Sequence, residues 1–563
     1  MSATASPRLQ RRILWVDDEV ELLRPHLLFL RDRGYAVDGV SNGDDALELL
    51  AERTYDLALL DEQMPGRTGL ELLEVLRREM PQQRVVMLTK SQDDATMTGA
   101  IGRSVEDYLV KPVSPLQLLS AVTRVLEGPS IRQQSLAQDF AARFGRLSID
   151  LKDAGEADDY AAVYSELTDW HVSLSEAGET GLLDTVSSLM ADLRRDFGGW
   201  VVRNYPAWLA ADANGDDAGG QVPTGYDVPS WNRPGGSGRG RKRKSRRRRP
   251  SERPLLSVDV VRKHLAPRVG DAPVCFVVLD CMRLDQWRVM APLLAEHFEI
   301  EESHHFAILP TATPFARNAL FSGMFPDEIA RRYPDWWGGR DKEGSMNAFE
   351  DDLLRKQLRR LTGRDVSVHY EKVFTDRRGD QVRSRVVSAL GRAGSVIALV
   401  FNFVDLMTHG RSESPILMEV VRDEAALRSL TRAWFERSVA FRVLREAARS
   451  GVRVVLTTDH GSILCQHPST VVARRDATPS LRYKFGQDLR AEVGSTAYST
   501  QDSRDLRMPP ARMGMTYLLA REGYFFVYPT KLREYQARYL NSFLHGGISP
   551  EEMIVPVANL TPR

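Results

Sequence analysis

The chain has 563 residues, 42% of them apolar, and its 76 basic and 76 acidic side chains leave a formal net charge of zero at pH 7. That balance excludes a globally basic nucleic-acid binder, and the length excludes a single core, because domains of roughly 100–200 residues predict three or four units. Three cysteines, Cys275, Cys281 and Cys465, without a CxxC pair exclude a disulfide scaffold and point to a reducing compartment.

The N-terminal MSATASPRLQRR lacks the apolar core of a signal peptide. No apolar run approaches the roughly 20 residues of a membrane-spanning helix. A soluble, cytoplasmic protein without membrane insertion is expected. Residues 10–128 alternate short apolar runs (ILWVDD, AVDGVS, LALLD, VVMLT, DYLVKP) with helical patterns such as GDDALELLAER and GLELLEVLRRE. This predicts an α/β, doubly wound parallel sheet, in which ligands gather at the carboxyl ends of the strands. Four of those ends are polar: Asp17-Asp18, Asp61, Thr89 and Lys111. Three converging carboxylates need a cation, and an all-oxygen site suits Mg²⁺. A hydroxyl and an ammonium beside it can hold phosphate oxygens.

These motifs, with Met64-Pro65-Gly66 after Asp61 and Lys111 before Pro112, resemble the receiver domain of two-component response regulators over about 115 residues. The resemblance implies that Asp61 is the phosphoacceptor and that a histidine kinase is the partner. It also implies that Asp17, Asp18 and Asp61 hold Mg²⁺ with the Gln63 carbonyl. Thr89 and Lys111 would read the phosphoryl group, with Tyr108 as the switch aromatic. Lys90 departs from the small residue usual after the threonine.

From 129 to 210 the strand signal disappears, and Leu182, Val186, Leu189, Leu193, Phe197 and Trp200 follow the three-and-four spacing of a helix stripe. A helical bundle is expected there. Residues 211–253 lack periodicity and read as a disordered basic linker. Within it RGRKRKSRRRR (239–249) carries nine positive charges in eleven residues. It reads either as a phosphate-binding arm or as a solvated tether.

An α/β pattern returns over 254–563. VCFVVLD ends on Asp280, ALVFNFVDLMTH carries Asp405 and His409, VVLTTDH gives Asp459 and His460, and FLHGGIS offers His545. Three aspartates and three histidines at such positions suit Zn²⁺ or Mn²⁺ better than Mg²⁺. A metal pair roughly 3.5–4 Å apart can clamp a phosphoryl transfer. PTATPFARN supplies a nucleophile: Thr313 before Pro314 predicts a helix N-cap, with its hydroxyl at a positive helix end. Arg317 and Asn318, one turn on, are placed to hold phosphate oxygens.

The order Asp, Thr, Asp-x3-His, Asp-His and a late His resembles the alkaline phosphatase superfamily, and within it the PglZ domain, over about 300 residues. By that resemblance one metal takes Asp405, His409 and His545. The other takes Asp280, Thr313, Asp459 and His460. Receiver, helical bundle and PglZ domain in this order are similar to PorX-like response regulators, as are DCMRLDQW and PTATPFARNALFSG. This implies a zinc phosphodiesterase acting on cyclic or linear oligonucleotides, a phosphorylation-promoted homodimer, and a role in type IX secretion with a sigma factor as further partner. The alternative is a non-catalytic signalling or transcription regulator that uses the PglZ domain as a docking surface. Three further stretches remain. Arg283 and Asp285 read as a structural ion pair or, second to that, as residues that position substrate. LRYKFGQDLR (481–490) reads either as a nucleotide-stacking cluster in a loop-rich segment or as a solvated loop. Ser549-Pro550-Glu551-Glu552 reads as a capping box that fixes the helix after His545.

Overall fold

Five short apolar runs, each closed by a turn or a capped helix, build the first sheet. The computed structural model describes residues 11–90, 105–213, 253–339, 346–374, 379–411, 414–474, 477–510 and 512–563. Most of the expected basic linker, 214–252, therefore lies outside the described residues. The strands are β1 (Arg12–Val16), β2 (Ala36–Val40), β3 (Leu57–Asp61), β4 (Val85–Thr89) and β5 (Asp107–Val110). They pair in parallel in the order β2-β1-β3-β4-β5. Between them run the helices α1 (Arg24–Arg31), α2 (Gly43–Glu52), α3 (Gly69–Glu79) and α4 (Pro115–Leu126).

The period of two divides the core into two faces. Ile13, Trp15, Leu57, Leu59, Val86 and Leu88 pack on α4 through Leu118 and Val122. Their neighbours Leu14, Val16, Ala58, Leu60, Val85 and Met87 pack on α3 through Leu72, Leu73 and Leu76. Capping boxes at Thr68/Glu71 and Ser114/Gln117 fix where α3 and α4 begin.

The chain divides into two compact units near residue 143. Three helices follow the sheet: α5 (Gly128–Asp153), α6 (Ala157–Ala177) and α7 (Thr180–Ala213), the last running three residues past the expected helical segment. The second unit contains the rest of these helices, apart from 177–179, and the whole C-terminal half. The predicted stripe on α7 explains that grouping. Val186, Leu193 and Phe197 have no exposed surface. Phe197 and Trp208 place their rings 6.2 and 5.8 Å from Phe306 of the C-terminal half. Such ring pairs add about 0.5–1.5 kcal/mol each beyond area burial. Arg288 reaches back to Asp169 at 2.6 Å and to Ser165 at 2.8 Å.

The C-terminal half is built on six strands: β6 (Val274–Leu279), β7 (Phe298–Phe306), β8 (Ser367–Val373), β9 (Ser395–Phe401), β10 (Arg453–Thr457) and, at the end of the chain, Ile554–Pro562. Their order is β7, Ile554–Pro562, β10, β6, β9, β8. The run β10-β6-β9-β8 is parallel, and Ile554–Pro562 pairs antiparallel with both β10 and β7. β6, β9 and the inner part of β10 are buried on both faces, which is why they read as unbroken apolar runs. In parallel strands of one register, the residues after each strand meet at one edge. This brings Asp280, Asn402 and Asp459 together.

Two histidines are sealed into this half. His305 on β7 has no exposed surface, and neither ring nitrogen has a hydrogen-bond partner among the described residues. His264 has one ring nitrogen 3.2 Å from the Asn559 amide. Burial pushes His305 down to about 3 and His264 down to about 4. An unfolded chain binds protons at these rings from about pH 6.5 downward, so the folded state loses stability as pH falls from there toward 4. In chelator, urea unfolding of the C-terminal half is expected to weaken by about 1–3 kcal/mol per histidine between pH 7 and pH 4. His305→Leu should flatten that slope, as measured by the urea midpoint against pH.

Candidate metal centres

At the carboxyl edge of the first sheet, Lys111 donates to Asp17 at 2.7 Å and lies 2.9 Å from Asp61. Asp17 and Asp61 are buried, Asp18 is exposed, and one carboxylate oxygen of each lies within 4.8 Å of the others. Burial raises the Asp61 carboxyl above the usual carboxylate range, Lys111 lowers it, and Asp17 and Asp18 push it up again. Among the described residues, the second oxygen of Asp61 is buried without a hydrogen-bond partner. A carboxylate left in this state calls for a cation, so the three aspartates fit a hard divalent ion. Thr89 is buried at the end of β4, beside the strand that carries Asp61. The Tyr108 hydroxyl is buried without a partner, with its pKa raised by burial and then by Glu62. Lys90 is exposed. Gly69, which opens α3, is dictated by space: a Cβ there would sit 2.0 Å from the Asp61 carbonyl oxygen.

The second centre lies at the corresponding edge of the six-stranded sheet. Asp280, Asp459 and His460 have no exposed surface, and one ligand atom of each lies within 4.8 Å of the others. The Thr313 hydroxyl stands 3.0 Å from His460 Nε2 and 3.4 Å from Asp280 Oδ1. The other half is formed by helix α8 (Phe403–Arg411), which follows β9 and puts Asp405 and His409 on one face. His409 Nε2 is 3.3 Å from Asp405 and 3.0 Å from His545 Nε2, and His545 Nε2 is 3.6 Å from Asp405. The rings of His460 and His545 stack at 4.4 Å, which joins the two halves.

All seven predicted ligands therefore converge. Burial raises Asp405, but the hydrogen bond from His409 and the three histidines carry it below its ordinary value. Burial, then His460 and His409, hold His545 well below its ordinary value, so it stands neutral at pH 7 with a lone pair to offer. Among the described residues, Asp459 Oδ2 is buried with no hydrogen-bond partner. Carboxylate oxygens and imidazole nitrogens in so tight a cluster form a donor set that fits divalent transition metals.

The structure corrects three local expectations. Ala312, not Thr313, takes the cap position of helix α9, numbered here for Thr313–Ser322, and Thr313 is its first residue. The Thr313 hydroxyl turns to Asp280 and His460 instead of a helix amide. Arg317 does not offer its guanidinium to phosphate: it is buried and holds Asp280 Oδ2 at 2.5 Å and Glu350 at 2.9 Å. Asn318 spends its amide on the carbonyls of Pro314 and Met346. LRYKFGQDLR is not a loop: Tyr483–Gln487 is a strand, and Arg482 is fully buried against Glu552. Arg283 and Asp285 form the ion pair that the sequence suggests, at 2.8 Å. Ser549 caps the short helix Pro550–Met553. Glu552 accepts from the Gly547 amide at 2.8 Å, and so fixes the turn after His545.

Sequence reasoning missed Cys281, whose sulfur lies within 4.8 Å of ligand atoms of Asp405 and His545. Its backbone is left-handed, at φ 63°. Burial, and then the neighbouring carboxylates, push the thiol well above its ordinary range. It also missed Asn402, which donates to Asp280 at 2.6 Å. The only sequence signal for either was its place at a strand end.

Comparison with known proteins places the chain among relatives of matching parts. The family model of the BREX system PglZ alkaline phosphatase-like domain matches residues 258–560, more than half of the chain. The response regulator receiver domain matches residues 13–123, and the PorX response regulator linker domain matches 130–209. The transcriptional regulatory protein ResD of Bacillus subtilis is 36% identical over 121 residues, which is 22% of this chain and 50% of its own length. The alginate biosynthesis transcriptional regulatory protein AlgB of Pseudomonas putida is 40% identical over 126 residues, 22% of this chain and 28% of its own. The chain thus spans half or less of the length of these relatives. The response regulator TrrA from Thermotoga maritima, solved in complex with Mg²⁺-BeF, is 30% identical over 21% of this chain and 100% of its own, with a TM-score of 0.20.

Gly461, directly after His460, has a Cβ position 2.0 Å from the Glu551 carbonyl oxygen. Gly461→Ala is expected to cost about 1–3 kcal/mol through overpacking. It should also weaken divalent-metal uptake, as measured by thermal melting with and without metal.

Proposed function

The chain belongs to the family of PglZ alkaline phosphatase-like domains and carries a response regulator receiver, and from that premise we propose that it is a phosphorylation-controlled, metal-dependent phosphodiesterase. The observation that carries this reading is the Thr313 hydroxyl, which lies 3.0 Å from His460 and 3.4 Å from Asp280 inside a converged set of seven donors. Two zinc or manganese ions, one held by Asp405, His409 and His545 and the other by Asp280, Asp459, His460 and Thr313, would supply Lewis acidity toward phosphate oxygens and lower the pKa of the hydroxyl.

The chain's own residues do the rest. Thr313 Oγ attacks phosphorus in line, the P–O bond to the leaving alcohol breaks, and the remaining phosphoryl half stays on Thr313. Water then cleaves that ester and regenerates the hydroxyl. Arg317 acts behind the site: it binds Asp280 to Glu350 and keeps the carboxylate aimed at the nucleophile. Asn402 holds the same carboxylate from the end of the neighbouring strand β9. His545 is steered by its other nitrogen, 3.3 Å from the Thr311 carbonyl, which leaves Nε2 for the centre. In the receiver, a histidine kinase or small phosphodonor loads Asp61 beside Mg²⁺. Thr89, Lys111 and Tyr108 respond to the added charge, and a homodimer is favoured.

Thr313→Ala is expected to lower kcat at least about 10³-fold while leaving metal content unchanged, as read by steady-state kinetics and elemental analysis of the same sample. Unchanged turnover would overturn the nucleophile. Asp61→Asn should keep basal activity and abolish any response to a phosphodonor. A panel of cyclic oligonucleotides, linear dinucleotides and aryl phosphate mono- and diesters, run with and without the donor, identifies the substrate class. Full metal loading with no turnover of any member would favour the docking role instead.

A further inference from the structure

One buried charge network lies outside the donor set, and the mechanism makes no use of it. It begins on α7, in the segment that matches the linker domain, at Arg194. Its Nε donates to Glu551 at 2.6 Å, and its Nη2 lies 3.7 Å from Glu424. Glu424 accepts from Arg283 at 2.7 Å. Arg283 also binds Asp285 at 2.8 Å, and Asp285 accepts from Arg428 at 3.2 Å. Three guanidiniums thus face three carboxylates, and nothing in the network has a net charge to offer a ligand.

Its two ends matter more than its charge. Arg283 stands three residues after Asp280, and its Nη1 donates to the Ser462 carbonyl, two residues after His460, at 3.2 Å. This end fixes both strand ends of the Thr313 half. Glu551 is the neighbour of Glu552, whose carboxylate holds the Gly547 amide in the His545 turn. That end fixes the other half. Between the ends, the Glu551 backbone is pressed on Gly461, and the Glu552 carbonyl accepts the Gly461 amide at 3.0 Å.

We propose that Arg194 is a positioning residue for both halves of the metal centre, and that helix α7 sets their separation through this one side chain. The inference rests on the metal reading above. A charged group that touches no ligand can do this because loops at strand ends are held by few bonds, and residues without ligand contact can shift a binding site by about 2–30-fold. A cavity of about 210 Å³ beside Arg194, Glu424 and Glu551 has room for waters to replace a lost guanidinium, so truncation is compatible with folding.

The test is calorimetric titration of metal-stripped full-length chain with Mn²⁺ or Zn²⁺ alone, beside thermal melting in chelator. Wild type comes first: if it binds neither metal, the metal reading falls. If it binds two beyond any ion held by the receiver aspartates, Arg194→Gln is expected to weaken both by about 2–30-fold, and Arg194→Lys to recover part of the loss at each. Wild-type affinity in Arg194→Gln, whatever happens to its melting temperature, would overturn the proposal and leave a structural ion pair. Loss at one half only would overturn the claim that one side chain serves both. Glu551→Gln, expected to weaken the His545 half selectively, carries the test if Arg194→Gln does not fold.

Discussion

Buried carboxylates without enough positive charge are the constraint on which the rest of this molecule depends. Asp280 and Asp459 have no exposed surface, Asp405 lies close by, and the nearest guanidinium, Arg317, is shared with Glu350. Leaving such oxygens unpaired costs several kcal/mol each, and the chain places imidazoles opposite them instead of lysines. Only a cation reconciles the two, and the surrounding architecture serves that end. The parallel strands bring the aspartates to one edge. The helix after β9 turns His409 back onto Asp405. A glycine beside His460 lets the next backbone close over the site.

The receiver centre solves the same problem at smaller scale. Three aspartates meet at strand ends, a glycine at the start of α3 admits a carbonyl, and a single lysine leaves one Asp61 oxygen without a partner. The two centres differ in what surrounds them. Asp18 is exposed, and oxygen donors alone line the receiver site, which suits a hard ion that keeps some of its water. Histidine donors at the C-terminal centre, where Asp280, Asp459 and His460 have no exposed surface, suit softer metals. One chain thus carries an oxygen-lined carboxylate cluster and a histidine-rich one.

Much of this was legible in the sequence because strand ends announce themselves. An apolar run that stops on Asp, Thr or His leaves a short list of positions, and all seven side chains that converge in the C-terminal half came from that list. The α7 stripe was equally plain, since Val186, Leu193 and Phe197 keep strict helical spacing. What stayed hidden was the use of charged side chains at long range. Arg317 reads as a phosphate ligand until Glu350, 33 residues on, is seen to occupy it. Arg482 reads as a surface cation until Glu552 is found against it, and nothing local pairs Arg194 with a residue 357 positions away. Ion pairs of this kind leave no periodicity, so only the folded chain reveals them.

The central claim is that Thr313 carries the phosphoryl half between two displacements. The steric course at phosphorus tests it most directly, using a phosphorothioate diester of defined configuration turned over in isotopically labelled water. Two in-line displacements through Thr313 predict net retention of configuration. Inversion would mean that water attacks phosphorus directly, and would contradict the account.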